Sequence, residues 1–415
     1  MTALDSPFES LIAAVSDDRK LDAPRAAYIH IPFCRRRCFY CDFPIAVAGD
    51  RARGETSPRI QSYVDALCRE IQVTPVLGEP LRTVFFGGGT PSLLAVNQVE
   101  QILTTLATRF GIEPDAEISM EMDPGTFDRA ALQRLRELGI NRVSLGVQSF
   151  TDQQLEACGR THRLADVQRA IADLQAVAMP AWSLDLISGL PHQTIADWQT
   201  ALERAIAYGP QHLSIYDLTV EPNTVFHRRY QAGQAPLPTD DQTTEMYRLA
   251  QALLTQAGYA HYEISNYAKP GYQCQHNRVY WENRPFYGFG MGAASYTQGQ
   301  RFQRPRTTHD YADWLKTFEV AEGRLAVEPV TDGDRWLDRL MMGLRLAEGI
   351  PLAALVAEFG EERVNQLREC LRPYQQPGWI AELTERSPIV RFTDPDGFLF
   401  SNVVLVKLFE TFGDP

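Results

Sequence analysis

The chain has 415 residues, which is long enough for two or three domains of ordinary size. Hydrophobic residues make up 44% of it and charged residues 22%, and no run of 18 apolar residues predicts a membrane span. The net charge of −12 argues against nucleic acid as a partner, because phosphate binding favours a basic surface. The N-terminus carries Asp5 and Glu9 where a secretory signal has basic residues, so we expect a cytoplasmic protein.

From residue 26 to about residue 219, short β-rich runs alternate with amphipathic helical runs, a pattern typical of βα units around a parallel sheet. Such repeats either close into a barrel or open into a doubly wound sheet, and six units fit a barrel that stops short of eight. In both arrangements the binding residues lie at the C-terminal ends of the strands. The predicted strands begin at Ala26, Arg82, Glu117, Arg142, Trp182 and His212.

The pattern changes after residue 220, where a Pro- and Gln-rich connection leads into a long predicted helix. An aromatic and glycine-rich stretch follows, and then a mostly helical tail with a hairpin predicted over residues 387–400, where Asp396-Gly397 would form the turn. The predicted division is an N-terminal segment 1–25, an α/β barrel core 26–235, a helix with an aromatic segment 236–305, and a smaller C-terminal domain 306–415.

Three of the seven cysteines lie within one short loop after the first predicted strand. Cys34, Cys38 and Cys41 have the spacing C-x3-C-x2-C, which places three thiolates together. A four-iron cluster is normally held by four thiolates, so three leave one iron open to another ligand. Structural zinc is the alternative, but it favours a second cysteine pair, and none is seen in the sequence. The remaining cysteines are scattered and predict ordinary thiols: Cys68, Cys158, Cys274 and Cys370.

Several polar groups or glycines fall at predicted strand ends. The run GGGTP at residues 87–91 allows a ligand to approach the backbone closely, the alternative being a tight turn. Glu121, Gln148 and Asp185 occupy strand-end positions where burial without a partner is costly, which indicates a ligand or a structural hydrogen bond. Arg160 suits a carboxylate partner or is a solvated residue at a helix end.

The cysteine spacing, with Tyr40 directly before the last cysteine, resembles the motif of the radical S-adenosylmethionine (SAM) superfamily. The resemblance implies an incomplete (β/α)6 barrel, a [4Fe-4S] cluster on the three cysteines, and SAM on the open iron as the source of a 5'-deoxyadenosyl radical. The chain is similar to the HemN-like group of that superfamily from Tyr28 into its C-terminal domain. The SAM-contacting positions that this similarity implies are Tyr28, Tyr40, Gly87, Gly88, Gly89, Thr90, Glu121, Gln148, Arg160 and Asp185.

Two branches of the HemN-like group compete, namely the coproporphyrinogen III dehydrogenases of porphyrin biosynthesis and a branch of heme chaperones. The dehydrogenases have a fourth cysteine two residues after the third, where this chain has Phe43, and a longer extension than the 33 residues that precede Cys34 here. Both differences favour the chaperones, which implies heme and acceptor hemoproteins as partners. The dehydrogenase remains the alternative function.

The segment HNRVYW at residues 276–281 matches the heme-binding motif of the chaperone branch. Because imidazole is a common axial ligand of heme iron, the resemblance implies His276 as the ligand, with the Cys274 thiol as second choice. A histidine satisfied inside an aromatic core is the alternative. The arginines at residues 35–37 have three alternative roles. They could raise the reduction potential of the cluster, bind an acidic flavodoxin or ferredoxin as electron donor, or be solvated loop residues.

Overall fold

The computed structural model describes residues 23–50, 52–324, 330–383 and 388–413. Most of the predicted N-terminal segment, residues 1–22, therefore lies outside the described residues. None of the described helices is long and apolar enough to cross a lipid bilayer.

An open, mostly parallel sheet forms the frame of the barrel region. The strands are β1 Ala26–Ile31, β2 Phe33–Cys34, β3 Ala46–Val47, β4 Leu81–Gly88, β5 Ile112–Met122, β6 Arg142–Gln148, β7 Ala181–Ser188, β8 His212–Asp217, β9 Ala260–Glu263, β10 Asn266–Ala268, β11 Tyr287–Phe289, β12 Ala294–Thr297, β13 Gln300–Gln303, β14 Ile350–Pro351 and β15 Ile389–Val390. Within the described residues, nine strands pair in the order β11-β1-β4-β5-β6-β7-β8-β10-β9. The pairs from β11 to β8 are parallel, and the two edge strands do not pair with each other. The prediction of an incomplete α/β barrel is thus confirmed.

Helices follow the strands of the barrel at the predicted places. The helices are α1 Pro58–Val73, α2 Val96–Phe110, α3 Arg129–Glu137, α4 Asp152–Ala157, α5 Leu164–Ala176, α6 Ile195–Tyr208, α7 Val225–Arg229, α8 Asp240–Gln256, α9 Gln275–Trp281, α10 Thr308–Val320, α11 Asp332–Gly343, α12 Leu352–Phe359, α13 Glu361–Leu371, α14 Asp396–Leu399 and α15 Ser401–Phe412. Helix α2 illustrates why these segments form helices that pack on the sheet. Its apolar side chains recur at helical spacing and are all buried, namely Val99, Ile102, Leu103 and Leu106. Full burial of a side chain of this size contributes roughly 1.5–3 kcal/mol.

The segment 236–305 completes the main sheet rather than standing beside it. It supplies β11 next to β1, and β10 and β9 beyond β8, so the sheet extends past residue 235. A buried ion pair joins it to α1, because Arg304 Nε donates to Glu70 Oε1 at 2.6 Å. The second carboxylate oxygen of Glu70 accepts from the Gly290 N–H and the Tyr311 hydroxyl. Removal of either charge would leave the other buried and unpaired, which is strongly destabilising.

The C-terminal region is mostly helical, as predicted, and has its own apolar core around Trp336 and Leu367. The predicted hairpin over residues 387–400 is wrong, because β15 pairs with β14 and Asp396-Gly397 begins helix α14. The Thr393 hydroxyl accepts the Gly397 N–H at 3.1 Å, which starts a helical turn in place of the hairpin turn.

Candidate cluster and cofactor site

A cavity of about 480 Å³ lies at the C-terminal ends of the parallel strands. Among its lining residues are the three cysteines of the predicted cluster motif and most of the predicted SAM positions, namely Tyr40, Gly88, Gly89, Thr90, Glu121, Gln148, Arg160 and Asp185. Two predicted SAM residues lie elsewhere: Gly87 packs against Tyr28 and Glu121, and Tyr28 lines a second cavity deeper in the barrel. The fold therefore brings a motif from one loop together with side chains from several distant strands.

The cysteine loop is held at its base by the short parallel pairing of β2 with β3, in which Cys34 is the partner of Val47. Burial raises the pKa of the Cys34 thiol to about 12 and also raises the pKa of Cys41. Metal binding therefore has to displace protons from these thiols. Among the described residues, no three His, Cys, Asp or Glu side chains are placed to hold a single metal ion. Three thiols that border one cavity fit a cluster, whose irons are held by cysteine thiolates.

Asp123, which was not predicted as a site residue, connects two of these thiols. The Thr90 hydroxyl donates to Asp123 Oδ2 at 3.2 Å and lies 3.6 Å from Cys34 Sγ. Arg160 donates through Nη2 to Asp123 Oδ1, and its Nη1 lies 3.4 Å from Cys38 Sγ. Arg160 is thus a partner of a carboxylate, as predicted from its chemistry, and is also a neighbour of a cluster thiol. An acidic residue directly after a strand end was the signal that could have found Asp123.

Glu121 places a carboxyl group beside the cavity. Its Oε2 accepts the Gly88 N–H at 3.0 Å. Burial raises the pKa of Glu121 to about 8, against the smaller opposing effect of the Gly88 hydrogen bond. Gly88 has φ 111°, and a Cβ atom there would lie 2.4 Å from the His30 ring, so only glycine lets the strand end approach so closely. A buried carboxyl at this position suits a positively charged ligand group.

Asp185 and Gln148, on β7 and β6, line the same cavity. Ser144 Oγ donates to both oxygens of Asp185, at 2.9 and 2.8 Å, and Ser183 Oγ donates to one of them. Burial raises the pKa of Asp185, while these serine hydrogen bonds lower it. Gln148 has φ 64°, an uncommon conformation for a non-glycine residue, at a shift in the pairing of β6 with β7. Such local strain is typical of functional sites.

Tyr28 supports the cysteine loop from inside the barrel. Its hydroxyl lies 3.0 Å from His30 Nδ1, and His30 Nε2 lies 2.9 Å from the Pro44 carbonyl oxygen. Burial lowers the pKa of His30 to about 4, so the ring is neutral. Nε2–H therefore donates to Pro44, which leaves Nδ1 to accept from the tyrosine. Through His30, Tyr28 therefore stabilises the end of the cysteine loop at Pro44.

Helix α9, which carries the predicted heme-binding segment, lies against the inner face of the sheet. His276 is fully buried, with its Nδ1 2.8 Å from Thr83 Oγ1 and its Nε2 2.8 Å from the Tyr280 hydroxyl. The ring also stacks on Phe85 at 5.2 Å. Burial lowers the pKa of His276 to about 3, so the imidazole is neutral. Both nitrogens have partners in this conformation, so His276 does not fit heme iron unless α9 moves, and its role as a ligand stays a prediction. The Cys274 thiol is also buried, 3.5 Å from Glu117 Oε1.

The three arginines of the cysteine loop make hydrogen bonds within the loop and to its surroundings, and Arg36 and Arg37 are also exposed to solvent. Arg36 forms an ion pair with Asp50, Arg37 donates to the carbonyl oxygens of Cys41 and Phe43, and Arg35 donates to a backbone carbonyl after β5. Their positive charges thus stay close to the cluster thiols.

Comparison with known proteins supports the family and the fold. The family model described as the Radical SAM superfamily matches residues 28–205, and the HemN C-terminal domain model matches residues 330–386. The chain is 47% identical over 399 residues to "Heme chaperone HemW" of Synechocystis sp., which covers 93% of this chain and 96% of the relative. It is 35% identical to the protein of the same name from Escherichia coli, over 92% of this chain and 97% of that one. The solved structure of coproporphyrinogen III oxidase (HemN) from Escherichia coli matches with a TM-score of 0.77 at 22% identity, over 96% and 93% of the two chains, and so supports the fold.

Substitution of Glu121 by Gln should stabilise the cluster-free chain at alkaline pH and change it little in acid. The folded-state pKa of about 8 exceeds the ordinary value of 4.5, so the native state keeps a proton that the unfolded state has lost. The free energy of unfolding therefore falls as the pH rises from 4.5 to about 8. Glutamine does not titrate, so the variant lacks this loss of stability. Urea denaturation at about pH 5 and about pH 9 should show a gain of roughly 1 kcal/mol or more at the higher pH only. An equal effect at both pH values would contradict the raised pKa.

Substitution of Arg160 by Met should lower the reduction potential of the loaded cluster. The variant loses a positive charge and an N–H donor beside Cys38 Sγ, and both favour the reduced, more negative cluster. Potentiometric titration followed by electron paramagnetic resonance measures the change. Arg163→Met is the matched control, because Arg163 Nη1 donates to backbone carbonyl oxygens of residues 160 and 162. Equal potentials in the native chain and the Arg160 variant would show that Arg160 does not act on the cluster.

Proposed function

The chain belongs to the heme chaperone HemW family of the radical SAM superfamily, and we propose on this basis that it binds heme as cargo and delivers it to hemoproteins. Its cofactors are a [4Fe-4S] cluster and SAM. The observation that carries the proposal is similarity to heme chaperones over nearly the full length of both chains, with the three cysteines of the motif facing one cavity.

Within that cavity, Cys34, Cys38 and Cys41 would hold the cluster, and SAM would fill the remaining space. When bound, the reduced cluster and SAM supply the radical chemistry for which the superfamily is named. The residues of this chain do the positioning. Glu121, which accepts the Gly88 N–H, would bind the ammonium group of SAM, and Arg160, held by Asp123, would place its positive charge beside the cluster thiol of Cys38.

An acidic flavodoxin or ferredoxin is proposed as the electron donor. The supporting features are the arginines at residues 35–37 and the side chain of Phe43, which is 58% exposed at the rim of the same cavity. Positive charge around an exposed apolar residue suits a negatively charged redox partner. The same exposed Phe43 stands where the coproporphyrinogen dehydrogenases have a cysteine, which weakens that alternative function.

Heme ligation through His276 requires α9 to leave the sheet. The movement would break the contacts of His276 with Thr83 and Tyr280 and would free a neutral imidazole nitrogen. Neutral imidazole is the form that binds heme iron. The heme site proposed here therefore belongs to an open conformation, and the contacts of α9 determine how often that conformation forms.

Substitution of Cys38 by Ser should abolish cluster binding, because a serine hydroxyl replaces one of only three local thiolate ligands. Iron and sulfide analysis and visible absorbance after anaerobic reconstitution measure the loss. Cys68→Ser is the matched control, since Cys68 is a buried residue of helix α1 in the main apolar core and lies outside the cysteine loop. Full iron and sulfide content in the Cys38 variant would refute the cluster assignment.

The heme proposal is tested by hemin titration of the reconstituted chain beside its His276→Ala and Tyr280→Phe variants. Saturable binding with a Soret shift is expected for the native chain and should be lost in His276→Ala. Tyr280→Phe should bind hemin several-fold more tightly, because it removes the hydroxyl that occupies His276 Nε2 and keeps the ring.

Equal hemin affinity in all three chains would show that heme binds elsewhere and that His276 is only a structural residue. Failure of the folded native chain to bind hemin would refute the chaperone function. Anaerobic incubation with coproporphyrinogen III, SAM and a reductant would then test the dehydrogenase, for which protoporphyrinogen is the expected product.

A further inference from the structure

A second, inner cavity of about 200 Å³ lies deeper in the barrel, between the sheet and helix α9. Side chains from β1, β4, β5, β6, β7 and β8 line it together, which shows how far the open sheet curves around the interior. It adjoins the cluster cavity, because Glu121, Ser144, Asp185 and Tyr216 line both. The interior of this barrel is therefore polar where a closed barrel is filled by branched apolar side chains.

Three hydrogen-bonding groups on this cavity have no partner within the described part of the chain. They are Ser119 Oγ, Arg142 Nη2 and His212 Nδ1, in side chains that line the cavity. The exposed fractions of these residues are 1%, 6% and 3%, so solvent does not reach them from outside. Ser119 and Arg142 are register partners on neighbouring strands, β5 and β6. Buried polar groups normally have partners, so three on one cavity indicate a ligand.

His212 presents a donor to the cavity. The Cys274 N–H donates to the Tyr262 hydroxyl oxygen at 3.2 Å, and that hydroxyl lies 2.9 Å from His212 Nε2. The Tyr262 hydroxyl still has its own hydrogen to donate, and donation of this hydrogen to Nε2 places the ring hydrogen of His212 on Nδ1. Burial and the nearby Arg142 charge lower the pKa of His212 far below its usual range, so the ring is neutral with one N–H.

The acidic groups near the cavity already have donors of their own. Glu117 accepts the Gln275 and His276 N–H groups at 3.1 and 3.0 Å, and lies 3.9 Å from Arg142 Nη1. Asp185 accepts from serines, and Glu121 accepts from the Gly88 N–H. The His276 ring, which also lines the cavity, is held by Thr83 and Tyr280. What the cavity still lacks is an acceptor for its three free donors.

We propose that the inner cavity binds a small monocarboxylate, with Arg142, His212 and Ser119 donating to its two oxygens. A carboxylate provides about four lone-pair sites in a plane, which suits donors that converge from neighbouring strands. A volume of about 200 Å³ holds roughly six water-sized groups, so the ligand has the size of acetate, propionate or lactate. The three donors are not among the residues assigned to the cluster, SAM or heme, although the cavity also borders the SAM residues Glu121 and Asp185 and the predicted heme ligand His276. The proposal does not rest on heme transfer.

Acetate is the probe for this site, titrated into the cluster-loaded chain by calorimetry and by ¹³C nuclear magnetic resonance of labelled acetate. One saturable site per chain is expected. Ser119→Ala removes one free donor without leaving a partner unpaired, and should weaken acetate binding about tenfold. Ser401→Ala, at an equally buried serine in the C-terminal region, should leave it unchanged. Arg142→Met should abolish binding, and Ser119→Ala keeps the test valid if that variant does not fold.

Hemin and SAM are titrated into the same variants. Unchanged affinities for hemin and SAM would show that the variants lose acetate binding at the inner cavity alone. The proposal is overturned if the folded native chain binds neither acetate, propionate nor lactate, since the cavity then holds only water. It is also overturned if Ser119→Ala and the native chain bind acetate equally, because the bound acetate then lies elsewhere.

Discussion

The carboxylate of Asp123 is the contact on which the cluster end of the barrel depends. It receives Arg160 on one oxygen and Thr90 on the other, and each of these donors also reaches a cysteine of the cluster motif. One strand-end acid thereby fixes the distance between the cysteine loop, the glycine run and the segment after β6. Because the Arg160 side chain is 8% exposed, its charge needs this partner in order to be buried at all.

A second acid plays the matching role at the other end of the strands. Glu117 accepts the first N–H groups of α9 and lies close to Arg142, so it joins the helix to the sheet through charge as well as through hydrogen bonds. The inner cavity lies between the two acids. The barrel thus encloses a polar interior, closed by α9 on one side and open to the cofactor cavity on the other, and its contents are set by hydrogen bonds more than by apolar packing.

Much of this arrangement could be predicted, because the barrel strands and helices have strong local periodicity and the cysteine motif is short. Glu121 and Asp185 were found since a polar residue interrupts an apolar run, although only Glu121 lies at a strand end and Asp185 lies within β7. Strand β11 was missed because three residues among aromatic and glycine neighbours have no clear period, and its place beside β1 depends on the whole fold. The hairpin was predicted from a local Asp-Gly signal that a tertiary partner for the preceding strand overrode. The closed position of His276 matches the alternative of a satisfied histidine in an aromatic core, but the sequence could not name its partners, which lie on β4 and within α9.

The polar interior bears directly on whether α9 can move. The helix buries only His276 and Val279, and the apolar cluster around Val279 is small, with Ala26 and Phe286 as its other buried members. Loss of so few apolar contacts costs far less than removal of a helix such as α2, which covers the main core. The hydrogen bonds that α9 would lose can be replaced by water once the cavity opens, because the exposed groups are polar. A helix that closes a polar cavity can therefore open at a lower free energy than α2, and α9 is the element that carries the predicted heme ligand.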